Sequence, residues 1–118
     1  MRYKESSLQI ACVTWFKKYA YPRLAPLLFA VPNGGYRNPV TAKIMKAEGA
    51  TAGVADLILL APSADFHGLC IEMKTDKGRQ SENQKQWQTA VQNQGYKYIV
   101  CRSFEDFQTE VTRYLRDG

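Results

Sequence analysis

Between Gly53 and Lys74 the chain reads GVADLILLAPSADFHGLCIEMK. Two short apolar runs, residues 57–60 and 69–71, flank a polar loop holding Pro62, Ser63, Asp65 and Gly68. Runs of this length bounded by turn formers read as strands, so the segment predicts a β-hairpin. A hairpin centred near Ala64 sets residues whose numbers sum to 128 opposite one another, and Asp56 then faces Glu72. Directly opposed residues of an antiparallel pair hold their Cβ atoms roughly 4.5–5.5 Å apart. Strand side chains alternate faces, so Lys74 shares a face with Glu72 and, across the ladder, with Asp56.

Two carboxylates at one end of buried strands need positive charge between them. Lys74 supplies one such charge, and a divalent cation is the more economical partner. Mg²⁺ takes one or two carboxylates, keeps several waters and leaves positions for phosphate oxygens. A lysine beside the metal-bound water can orient it and help it lose a proton. Asp, fifteen residues, Glu, any residue, Lys is the pattern of the PD-(D/E)XK nucleases, with Ala55 standing where the eponymous proline would be. The spacing is loose. An exposed hairpin end carrying an ordinary ion pair fits the same residues, and the hairpin alone does not choose between the two.

A length of 118 residues predicts a single domain over 1–118, long enough to bury roughly two-thirds of its unfolded surface. The net charge of +5 is unevenly spread: residues 1–48 carry eight Lys and Arg against only Glu5 and Glu48. A basic half points to a polyanionic partner, although plain solubility accounts for a modest excess too. Cys12, Cys70 and Cys101 have no CxxC or CxxH spacing and lie in apolar stretches. They are expected to be buried free thiols of a reducing compartment, not zinc ligands or disulfides. The N-terminus has no signal-like apolar region and no apolar run approaches about 18 residues. The expectation is a cytoplasmic protein, of a bacterium or a phage-infected host cell, neither secreted nor membrane-spanning.

Along the chain, apolar spacing predicts a first helix over 6–20, with Trp15 in its core face and Ser6 and Gln9 resembling a capping box. A strand follows over 27–31, then a turn at Pro32, Asn33, Gly34 and Gly35. Pro39 suits the first position of a helix running to Glu48, with Gly49 at its C-terminal cap. Ser81 and Gln84 give a second capping-box signature for a helix ending at Gln94, with Trp87 on its apolar face. Residues 96–101 read as a strand, and Ser103 caps a last helix. The order α-β-α-β-β-α-β-α predicts an α/β sandwich around a four-strand mixed sheet. The strand of Glu72 and strand 96–101 are expected to be parallel neighbours joined by a right-handed crossover.

Laid together, these segments resemble the VRR-NUC (virus-type replication–repair nuclease) family of the PD-(D/E)XK superfamily. The resemblance rests on Glu5 with Gln9, VPNGGYR at 31–37, KAEGATAGVADL at 46–57, IEMK at 71–74, SENQKQW at 81–87, and Gly95, Tyr96 and Val100. It covers nearly the whole chain and implies a restriction-endonuclease-like fold. It implies metal ligation by Asp56, Glu72 and the main-chain carbonyl of Met73, and a water-activating role for Lys74. Glu5 matches an acidic residue that approaches the metal and serves a second ion. Gln84 matches a glutamine near the active site, a role compatible with its capping bond.

The implied reaction is hydrolysis of DNA phosphodiesters with Mg²⁺, for which Mn²⁺ substitutes, and with no small-molecule cofactor. Stand-alone members of the family resemble phage recombination and repair enzymes, which implies four-way (Holliday) junctions or flaps as substrate and a homodimer to cut both strands. Asn33, Gly34, Gly35, Arg37, Lys43, Lys46 and Lys77 are candidate DNA contacts, with Tyr36, Arg79 and Lys85 beside them. His67, the only histidine, reads as an exposed loop residue. Two alternatives stand beside the structure-specific enzyme: a general or restriction-like nicking nuclease, and a nucleic-acid-binding module without catalysis.

Overall fold

The computed structural model describes residues 2–32 and 38–117. Helix α1 spans Arg2–Thr14, and its continuation Trp15–Ala20 widens into π-helical geometry. A 3₁₀ segment, Pro22–Leu27, leads into strand β1, Leu28–Ala30. Helix α2, Pro39–Ala47, precedes the hairpin of β2, Leu57–Leu59, and β3, Leu69–Met73. Helix α3, Glu82–Asn93, strand β4, Lys97–Cys101, and helix α4, Phe104–Asp117, complete the chain. The predicted α-β-α-β-β-α-β-α order is the observed one.

The first helix departs from the expected bounds. It already runs at Arg2, so Ser6 and Gln9 lie inside it and Glu5 sits in its first turn, not ahead of it. Arg, Lys and Glu are good helix formers, and a carboxylate in the first turn favours the helix dipole. These local preferences carry the helix through the apparent cap. The first helix and its continuation stop at Ala20, and the 3₁₀ segment that follows has Pro22 at its start and Pro26 within it.

The sheet order is β1-β2-β3-β4, antiparallel at the first two junctions and parallel between β3 and β4. In the hairpin Leu57 faces Ile71, Ile58 faces Cys70 and Leu59 faces Leu69, so each pair of numbers sums to 128. At its far end the hairpin loop is pinned to α4: the Tyr114 hydroxyl donates to the Ala61 carbonyl at 2.6 Å, and the Ser63 hydroxyl donates to the Tyr114 carbonyl. Strand β1 has narrower bounds than expected, yet Leu27 and Val31 still bond across to Leu60 and Asp56.

All five residues of β3 are buried, as a central strand covered on both faces requires. One face, carrying Leu57, Leu59, Leu69, Ile71 and Met73, packs with Cys12 and Phe16 of the N-terminal helix and with Phe107, Val111 and Tyr114 of α4. The other face presents Cys70 and Tyr98 to Trp87 and Val91 of α3. The three cysteines are free and buried. Burial pushes their thiols up to about 12 at Cys12, 11 at Cys70 and 12 at Cys101, which leaves them protonated and inert at neutral pH.

Candidate active site

The site lies where β2 begins and β3 ends, on the sheet face covered by α3. Continuing the hairpin register by one residue sets Asp56 opposite Glu72. The two are tied through the backbone: the Met73 N–H donates to Asp56 Oδ2 at 2.7 Å. In an extended strand the N–H and C=O of one residue point to the same edge, so the Met73 carbonyl lies on the Asp56 side. The next N–H, of Lys74, points the other way and donates to the Cys101 carbonyl at 3.0 Å.

Glu72 is only 1% exposed and is the one charged residue buried among the described residues. Its Oε2 accepts from the Gln84 side-chain amide at 2.8 Å and lies 3.8 Å from the Lys74 ammonium. Its Oε1 accepts from the Tyr98 hydroxyl at 3.2 Å. Burial, reinforced by the Asp56 carboxylate beside it, pushes the Glu72 carboxyl up to about 8, against the opposing pull of Lys74 and Tyr98. One lysine therefore does not neutralise the pair.

Gln84 makes two kinds of contact. Its carbonyl oxygen accepts from the Ser81 N–H at 2.8 Å while the Ser81 hydroxyl accepts from the Gln84 N–H at 3.2 Å, a complete capping box. The amide nitrogen left over reaches Glu72. Gly53 fixes where this helix start can lie. At φ +86°, its backbone approaches α3 so closely that an added Cβ would stand 2.4 Å from the Asn83 carbonyl oxygen.

Glu5 and Gln9 line one cavity of about 260 Å³ together with Val31, Pro32 and Asp56. The structure thus brings Glu5 to the side of the site. Among the described residues, however, no three His, Cys, Asp or Glu side chains are grouped closely enough to hold one ion. Two carboxylates, a main-chain carbonyl and waters are a donor set that suits Mg²⁺, and hard oxygen donors are what Asp56, Glu72 and Met73 offer.

Of the candidate DNA contacts, Asn33, Gly34, Gly35, Tyr36 and Arg37 fall outside the described residues. Lys43 and Lys46 are exposed on α2, and Lys77 is exposed in the turn after β3. Lys46 lines a groove shared with Val31, Gly53 and Val54, which sets it beside the chain entering Asp56. Arg79 and Lys85 are exposed as well. His67 is an exposed loop residue, its ring edge-on to Tyr96 at 5.7 Å between centroids.

Tyr98, Gln80 and Gln88 did not stand out as site residues in the sequence. Gln80 donates to the Tyr98 hydroxyl at 3.2 Å and to Gln88 Oε1 at 2.9 Å. Arg102, also unmarked, holds the turn that carries Lys77: one guanidinium nitrogen donates to the carbonyls of Thr75 at 3.0 Å, Asp76 at 3.4 Å and Gly78 at 2.6 Å. The only sequence signal for Tyr98 was the expected parallel pairing of the two strands, which brings it beside the strand of Glu72.

A mixed four-strand sheet with paired carboxylates and a lysine at the end of its central hairpin is a nuclease-type α/β fold. The family model described as the VRR-NUC domain matches residues 3–105, and the chain belongs to that family. A solved structure described as a VRR_NUC domain protein is similar to it with a TM-score of 0.84 and 23% sequence identity, covering 97% of this chain and 89% of that one. Comparison with curated proteins gave no match. Among the described residues no helix is long and apolar enough to cross a membrane.

Proposed function

We propose that this chain is a metal-dependent, structure-specific DNA endonuclease that hydrolyses phosphodiesters of four-way junction or flap DNA. The observation that carries the chemistry is the opposed pair of half-buried Asp56 and fully buried Glu72, with Lys74 beside Glu72 and the pair still short of positive charge. Asp56, Glu72 and the Met73 carbonyl would hold Mg²⁺, or Mn²⁺ in its place, and Glu5 across the adjoining cavity would serve a second ion. Such an ion lowers the pKa of its water and offsets charge growing on the non-bridging phosphate oxygens.

The rest of the work falls to the protein's own groups. Asp56 is held by the Met73 N–H and Glu72 by Gln84 and Tyr98, so neither carboxylate must reorganise when substrate arrives. The Lys74 side chain is 13% exposed, enough for its ammonium to hold and orient an attacking water. Lys43, Lys46 and Lys77 would meet the phosphate backbone, with Asn33, Gly34, Gly35 and Arg37 contributing from the segment between β1 and α2.

The junction or flap preference rests on the resemblance to phage recombination enzymes. It requires a homodimer, since two symmetric cuts need two active sites and a two-fold assembly is the commonest way to supply them. End-labelled duplex, single-stranded, flap and four-way junction DNA, incubated separately with Mg²⁺ and Mn²⁺, test the preference. Paired symmetric cuts confined to branched substrates are expected. Equal cutting of plain duplex would leave a general nicking nuclease, and binding without cleavage would leave a DNA-binding module.

A further inference from the structure

We propose that Tyr98 is a positioning residue for Glu72, itself held by a relay of side-chain amides through Gln80 and Gln88. The proposal rests on the metal-site reading above. A glutamate's terminal torsion is broad and roughly two-fold, so a carboxylate gripped at one oxygen still turns about its own axis. Gln84 and Lys74 both address Oε2. Oε1 accepts from the Tyr98 hydroxyl at 3.2 Å, a second grip on the carboxylate plane beside its contact with Asp56.

The direction of every bond in the relay follows from the donors available. An ionised carboxylate only accepts, so the single hydroxyl hydrogen of Tyr98 goes to Glu72. The tyrosine oxygen then accepts from Gln80 Nε2 at 3.2 Å. The second hydrogen of that amide goes to Gln88 Oε1 at 2.9 Å. The tyrosine itself has little freedom: it is 7% exposed, its backbone pairs with Cys70, and its ring lies 6.2 Å from that of Trp87. The donors therefore run from Gln80, which is anchored by its other hydrogen to Gln88 of α3, through Tyr98 to the Glu72 carboxylate. Together they orient the Glu72 carboxyl group.

Calorimetric titration of Mn²⁺ into the DNA-free protein tests the assignment, comparing wild type with Tyr98→Phe and Gln80→Leu. Groups that orient a metal ligand typically change affinity by roughly 10–100-fold when removed. Tyr98→Phe is expected to weaken Mn²⁺ binding by about tenfold, with circular dichroism unchanged. Gln80→Leu keeps the hydroxyl but frees it to turn, and a smaller loss in the same direction is expected. Raising Mn²⁺ should restore cleavage in both variants, which a purely structural defect would not allow. Should Tyr98→Phe fail to fold, Gln80→Leu, at the edge of the packed region, carries the test alone. Wild-type affinity in the folded variants would overturn the role of Tyr98 while leaving the metal site intact. No Mn²⁺ binding by the wild-type protein would overturn the metal-site reading itself.

Discussion

At the scale of single residues, the proposed chemistry turns on Glu72, whose carboxyl is pushed up to about 8 by burial and by Asp56. A carboxyl with a raised pKa in the folded state binds its proton more tightly there than in the unfolded chain. Between the ordinary value of 4.5 and about 8, the folded protein holds more protons than the unfolded one, so stability falls as pH rises through that window. The metal-free protein should accordingly melt at a lower temperature at pH 8 than at pH 5. Mg²⁺ should displace the proton and lift the melting temperature most at the alkaline end. Thermal melts across pH, with Glu72→Gln as control, check this: the variant should lose this contribution to the slope, and an identical slope would contradict it. The opposition of Asp56 and Glu72 was legible in the sequence because a hairpin's register follows from its turn. Tyr98 was not, because its contact with Glu72 runs between β4 and β3, strands joined only through α3. The pairing of those strands was legible, but no local pattern marks which side chains meet across it.

At the scale of elements, α3 is the part most tightly specified. Its capping box and its reach to Glu72 share one side chain, Gln84, and Gly53 sets how closely the loop before β2 can approach it. Gly53→Ala would place a Cβ against the Asn83 carbonyl in a left-handed backbone conformation. Strain of that kind costs about 1–3 kcal/mol, visible as a lower melting temperature. Because relief of the contact must move the start of α3, cleavage should fall further than the stability loss alone explains. A variant with wild-type activity and melting temperature would show that the approach is not needed. The cap at Ser81 was readable because its signature is local. The start of α1 was misplaced for the same kind of reason: Ser6 and Gln9 carry a valid capping signature, but the helix-forming residues before them extend the helix past it.

At the scale of the whole molecule, the element order, mixed sheet and parallel crossover could all be read from apolar runs and turn formers, since strand burial and connection length leave few arrangements. What escaped was tertiary: the amide relay behind Glu72 and the Arg102 clamp on the turn carrying Lys77. The two sheet faces divide the labour. One packs against the N-terminal helix and α4 as core, and the other, under α3, carries Glu72, Tyr98 and the end of the hairpin. We propose that this end hydrolyses phosphodiesters through Asp56, Glu72 and Lys74. Single-turnover cleavage of labelled four-way junction DNA by wild type, Asp56→Asn and Lys74→Ala, with and without a chelator, tests it most directly. Each folded variant should lose about 2.7–4 kcal/mol of transition-state stabilisation, roughly 10²–10³-fold in rate, and wild type should not cleave once divalent ions are chelated. Wild-type rates in Asp56→Asn, or cleavage that persists in chelator, would contradict it.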